Sequence, residues 1–205
     1  MLAIIDYGSG NIAALTNIFK QRKVPHFVSG EPRELAGASH YLLPGVGAFD
    51  PTMETLTRSG VLDVLTEAVI GKGKRVLGIC VGMQLLAEAS DEGQMPGLGW
   101  IKGRVRKIDI SRLNQAPFLP HMGWNSVCLE NRATLFDGID VARGFYFLHS
   151  YYFDAASAED VSARVTYGSD MPCAVERGNV FGAQFHPEKS HSNGMRFLLN
   201  YAELA

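Results

Sequence analysis

Apolar positions recur along the first half of the chain with two alternating periods. Residues 2–5 are an apolar run closed by Asp6, the mark of a buried strand. A glycine-rich turn, Asp6-Tyr7-Gly8-Ser9-Gly10-Asn11, opens a stretch where Ile12, Leu15, Ile18, Phe19 and Arg22 recur at helical spacing. Short runs at 25–28 and 40–43 predict two more strands. Beyond Pro44-Gly45-Val46-Gly47-Ala48-Phe49 a helix is expected up to Gly71, burying Val61, Leu65, Ala68 and Val69. A fourth strand at 76–79 runs into a helix with Leu85, Leu86 and Ala89 on one face. This alternation predicts an α/β fold with a doubly wound, mostly parallel central sheet flanked by helices.

The second half reads differently. Runs at 100–108, 125–129, 145–153, 162–167, 174–176 and 179–184 are short and strand-like, separated by Gly, Asn and Asp turns. They predict additional antiparallel strands on the same core. Residues 111–120 hold two prolines and are expected to be a loop, and 194–202 a last helix with Met195, Leu198, Leu199 and Ala202 inward. No repeat or linker interrupts the chain, so residues 1–205 are expected to be one domain.

Composition narrows the class. The 205 residues are 46% hydrophobic and 20% charged, with net charge −2. That balance gives no electrostatic case for nucleic acid or an anionic membrane. Residues 1–5 lack the basic start of a signal peptide, and no apolar run approaches membrane-spanning length. Cys80, Cys128 and Cys173 are odd in number and far apart, which fits neither a disulfide framework nor a zinc motif. A reducing cytoplasm and no metal or cofactor are expected.

Two runs carry chemistry. In Gly78-Ile79-Cys80-Val81-Gly82 the period changes from strand to helix at Cys80. That is a nucleophile elbow with sulfur in place of a hydroxyl. Gly78 and Gly82 leave room for the bend, and unpaired N–H groups of the next helix would favour a thiolate. On this stretch alone, a buried structural cysteine is an equally good reading. The second run, Gln184-Phe185-His186-Pro187-Glu188, supplies a base. Extended backbone before Pro187 would set His186 and Glu188 side by side, so that Glu188 fixes the tautomer and the other ring nitrogen faces a thiol. His121, His149 and His191 show no ligand spacing and are expected at the surface or an interface; Cys128 and Cys173 are expected to pack as small apolar residues.

Gly78-Ile79-Cys80-Val81-Gly82-Met83-Gln84 and Phe185-His186-Pro187-Glu188-Lys189-Ser190 resemble the two signatures of class I glutamine amidotransferases. Pro44-Gly45-Val46-Gly47-Ala48-Phe49, His121-Met122-Gly123-Trp124-Asn125 and Phe147-Leu148-His149-Ser150-Tyr151 are similar to the branch that forms the glutaminase subunit of imidazole glycerol phosphate synthase, end to end. The resemblance implies Cys80 as nucleophile, His186 as base and Glu188 as its orienter. It implies an oxyanion hole from Val81 and the Val46-Gly47 turn. It places the substrate, L-glutamine, among Gly47, Gln84, Glu92 and the backbone of His149, Ser150 and Tyr151. It implies a cyclase partner facing Asn11, Trp124, Asn125 and Tyr146, and ammonia passed across that interface.

Phe118 and Leu119 stand where this branch commonly carries a basic residue, and Gly97-Leu98-Gly99-Trp100-Ile101 is similar to second-copy relatives. Those feed ammonia through a cyclase-like paralogue to a sugar amidotransferase of surface polysaccharide synthesis. A stand-alone cysteine hydrolase of this fold and a binding module with a dead site are the other readings, and the intact Cys80, His186 and Glu188 set speaks against the last.

Overall fold

The computed structural model describes residues 1–113, 116, 118–130 and 132–204. The expected alternation opens it. Strand β1 (Leu2–Ile5) leads to α1 (Ile12–Gln21), β2 (His26–Ser29), the short α2 (Pro32–Leu35) and β3 (His40–Gly45). The helix expected as far as Gly71 is broken into α3 (Phe49–Arg58), α4 (Val61–Thr66) and a π-helical turn (Glu67–Gly71). The first break falls at Gly60, whose φ of 72° takes the left-handed turn that ends helices.

Next come β4 (Arg75–Cys80), α5 (Val81–Gln84) and β5 (Ala89–Ser90). The amphipathic helix expected through Ala89 is one turn long. The carbonyls of Leu85, Leu86 and Ala87 accept instead from the N–H groups of Leu98, Ile101 and Gly99. Of the apolar positions read as a helix stripe, Leu85 and Leu86 lie in a buried turn stitched to that loop, and Ala89 is half-buried in β5.

The second half holds β6 (Gly103–Lys107), β7 (His121–Asn125), β8 (Cys128–Leu129), β9 (Phe145–His149) and β10 (Tyr151–Ala155). It ends with β11 (Val161–Tyr167), β12 (Ser169–Arg177), β13 (Val180–Ala183) and α6 (His191–Ala202). A 3-10 turn (Ile110–Arg112) starts the expected loop at 111–120, whose residues 114, 115 and 117 lie outside the described residues. The run at 145–153 is two strands divided at Ser150.

The main sheet has eight strands in the order β2-β1-β3-β4-β13-β12-β11-β8. Its first five are parallel; β12, β11 and β8 extend it antiparallel. β10-β6-β5 and β7-β9 form two smaller sheets. In α6 the buried face is turned from the expected stripe: Phe197, Leu198 and Tyr201 are buried with Asn193 and Asn200, whereas Met195 and Leu199 are half-buried. Both asparagines are buried because their amides donate to backbone carbonyls, Asn193 to Asp140 and Gly144, Asn200 to Leu135 and Asp137.

Candidate active site

Cys80 ends β4 at the carboxyl edge of the parallel strands, where ligands of such sheets bind. Its φ of 55° and ψ of −113° make the sharp bend expected from the elbow. The flanking glycines are required sterically. A Cβ on Gly82 would stand 1.9 Å from the Leu43 carbonyl oxygen, and one on Gly78 2.5 Å from the Gly82 oxygen.

β13 lies beside β4, so the chain leaving it passes the sulfur. His186 is fixed at both ends of its backbone: its N–H donates to the Tyr146 carbonyl, and its carbonyl accepts from Ser190 Oγ at 2.7 Å. Its Nδ1 lies 2.9 Å from Glu188 Oε1. Glu188 reaches it from a 3-10 turn (Pro187–Lys189), a departure from the strand geometry expected. Burial drives the His186 ring toward neutrality, but hydrogen bonds to Cys80 and Glu188, reinforced by their charges, hold it protonated up to about 10. A protonated ring beside a sulfur is the ion pair that thiol nucleophiles use.

A cavity of about 280 Å³ opens over Cys80 and His186. Val46, Gly47, Val81, Gln84, Glu92, His149, Ser150 and Tyr151 line it, so the structure gathers every residue expected to hold substrate or oxyanion. Pro120, Leu148 and Lys189 line it too and were not singled out from the sequence. Glu92 Oε2 accepts from the Phe49 N–H at 2.8 Å, leaving its other oxygen for a ligand. The Val46-Gly47 turn has a definite orientation. The Val46 N–H donates to Ser9 Oγ at 3.0 Å, and the Val46 carbonyl accepts from Ser9 and Thr52 hydroxyls. The Val46 donor is thus directed to Ser9 rather than offered to an oxyanion, and Gly47 N–H, on the opposite edge of that carbonyl's peptide plane, is the other donor of the turn.

The family model for class I glutamine amidotransferases matches residues 3–202. The chain belongs to that family. Among curated relatives, the "Imidazole glycerol phosphate synthase subunit HisH" of Bdellovibrio bacteriovorus is 47% identical over 205 residues, covering 100% of both chains. That of Leptospira borgpetersenii is 45% identical over 204 residues with the same coverage. A "HisH 2" of Pseudomonas aeruginosa is 44% identical, again over 100% of both. A solved glutamine amidotransferase superposes with TM-score 0.72, covering 99% of each chain at 17% identity. PurLQS from Thermotoga maritima superposes with TM-score 0.68, covering 98% of this chain and 96% of that one, also at 17% identity. These two speak to the amidotransferase fold alone.

The residues of this amidotransferase expected to face a partner differ in exposure. Trp124 is 47% exposed on β7 and stacks on His191, with ring centroids 5.2 Å apart. Met122, Leu148 and Val46 are also exposed. Asn11 is exposed and Tyr146 half-buried, with Lys189 Nζ 5.6 Å from the Tyr146 ring centroid. Asn125 is turned inward, donating to the Thr166 carbonyl and to His121 Nε2.

Contrary to the surface placement expected, His121 and His149 are buried. They pair across β7 and β9, Nδ1 to Nε2 at 3.0 Å, and His149 Nδ1 donates to the Tyr151 carbonyl. Burial holds them neutral, lowering His149 to about 3 and His121 to about 4. Cys173 is buried as expected, whereas Cys128 is exposed; all three cysteines are free.

Proposed function

We propose that this amidotransferase is the glutaminase subunit of a two-protein imidazole glycerol phosphate synthase, acting in histidine biosynthesis. It hydrolyses L-glutamine to glutamate and passes the ammonia to a cyclase subunit. The observation that carries the chemistry is the meeting of Cys80 and His186 at one cavity, with Glu188 buried behind the ring on its Nδ1. Full-length similarity to relatives of that name supports the pathway.

In this reading His186 takes the Cys80 proton on Nε2, since Nδ1 belongs to Glu188. The sulfur attacks the side-chain carboxamide carbon. The oxyanion that forms is held by Val81 N–H and a donor from the 46–47 turn. His186 returns the proton to the leaving nitrogen, so ammonia departs and a thioester remains. Water, deprotonated by the same ring, then attacks the thioester and releases glutamate. Glu92, which lines the cavity, would receive the substrate ammonium, and Gln84 with the 149–151 backbone would hold the remainder. Ammonia released to water would be protonated and lose its nucleophilicity. The exposed apolar residues around the mouth suit a partner that seals it. Free cysteines, one of them exposed, agree with a cytoplasmic setting.

The test mixes the chain with its cyclase partner and supplies either glutamine or ammonium salts. Cys80→Ala should abolish glutamine-dependent product formation and spare the ammonia-dependent reaction. Persistence of the glutamine reaction in that variant would overturn the mechanism. Glutamate release without imidazole glycerol phosphate would overturn the acceptor alone.

A further inference from the structure

The helix expected to favour a thiolate is reduced to the single turn α5, too short for aligned peptide dipoles to build much field. Other donors must face the sulfur. β13 and β4 pair in parallel with Ala183 beside Ile79, so Gln184 comes next to Cys80. Past β13 the chain bends at Gln184 and Phe185. Phe185 points into the core against Phe145, with ring centroids 3.9 Å apart, and Gln184 and His186 both face the sulfur. Gln184 is 0% exposed, and its Nε2 lies 3.8 Å from Cys80 Sγ.

The direction of that amide is set by its neighbours. The Tyr151 carbonyl only accepts, so Gln84 turns its Nε2 to it, at 3.1 Å. The same nitrogen donates to Gln184 Oε1 at 3.0 Å. With its oxygen so engaged, Gln184 has only N–H groups to offer the sulfur. Gln84 is itself buried, so water does not compete for these groups.

Resting on the reading of Cys80 as nucleophile, we propose that Gln184 donates a hydrogen bond to the Cys80 thiolate, with Gln84 and the Tyr151 carbonyl fixing the direction of that donor. No bond to Gln184 forms or breaks. The thiol proton goes to His186, and the amide N–H stabilises the charge left on sulfur.

The test is the pH dependence of Cys80 alkylation by iodoacetamide, resolved from Cys128 and Cys173 by peptide mass spectrometry. Gln184→Met keeps length and apolar volume but has no donor. The midpoint for Cys80 should rise by about one pH unit, a roughly tenfold loss of thiolate at a fixed pH below it. A folded Gln184→Met protein with the wild-type midpoint overturns the proposal. If that variant does not fold, the native protein answers: the Gln184 side-chain amide resonance should shift over the pH range in which Cys80 becomes reactive. A resonance that stays still also overturns it. Failure of the underlying reading looks different, because wild-type Cys80 would then resist a glutamine-like electrophile at every pH.

Discussion

Nδ1 of His186 and Oε1 of Glu188 are 2.9 Å apart, and the two side chains are 5% and 2% exposed. Out of water, this pair fixes both the tautomer and the angle of the ring. Glu188→Gln removes the charge and lets either end of an amide face the ring. We expect the rate constant for glutamine hydrolysis to fall by about 10²–10⁴-fold with little change in KM, as for orienting carboxylates elsewhere. Steady-state kinetics decides it: a raised KM with an intact rate constant would make Glu188 a binding residue.

Stability should depend on pH through the same ring. Burial works against its proton, but the bonds to Cys80 and Glu188 win and raise His186 from the unfolded value of 6.5 to about 10. The stabilisation is therefore complete below pH 6.5, shrinks as pH rises, and is lost above about 10. Urea unfolding across this range should show falling stability in the wild type and a flatter profile in His186→Asn. Equal slopes would contradict the assignment.

The buried pair His121 and His149 acts at the other end of the scale. Burial lowers them from 6.5 to about 4 and about 3, so both are neutral in the folded chain. They cost nothing above pH 6.5; as pH falls below it, the unfolded chain takes protons the folded chain refuses, and stability drops toward pH 4. His121→Phe preserves the stacking on Phe147 and Tyr167. It should remove about one proton, roughly 1.4 kcal/mol per pH unit, from the acid slope. An unchanged slope near pH 5 would count against a neutral His121.

Ser9 holds the Val46 N–H and carbonyl together. Ser9→Ala frees the 46–47 turn to reorient toward the oxyanion, and one such donor is worth roughly 3 kcal/mol. We expect glutamine hydrolysis by the isolated chain to rise by about tenfold, part of that donor's worth. A rate at or below wild type would show that Ser9 does not restrain this turn.

Trp124→Ala tests the docking face. An exposed aromatic anchor at an interface centre carries about 2 kcal/mol, so affinity for the cyclase should weaken by about 30-fold. Calorimetric titration would measure this, while the melting temperature and the Cys80 alkylation rate stay at wild-type values. Unaltered affinity would move the interface elsewhere.

Much of the site was legible because its signals are local. The elbow needs small residues two positions from Cys80, and the glycines there have no room for a Cβ. The π-helical turn and the short α5 were not legible, because apolar spacing alone does not show whether a carbonyl is claimed by the next helical turn or by a distant loop. Gly60, directly after Arg58 and Ser59, was the available signal for the first helix break. The burial of His121 and His149 depends on β7 pairing with β9, a long-range contact. Gln184 carries no titratable group to mark it; its position two residues before His186 was the available signal.

The bend at Cys80 has an evolutionary corollary. A side chain held at φ 55° and ψ −113° costs on the order of 1–3 kcal/mol that glycine would not incur. Cys80→Gly would relieve that strain but forfeit the bond to His186, leaving a relaxed and chemically inert bend. The demand for turnover therefore keeps a strained residue at this codon.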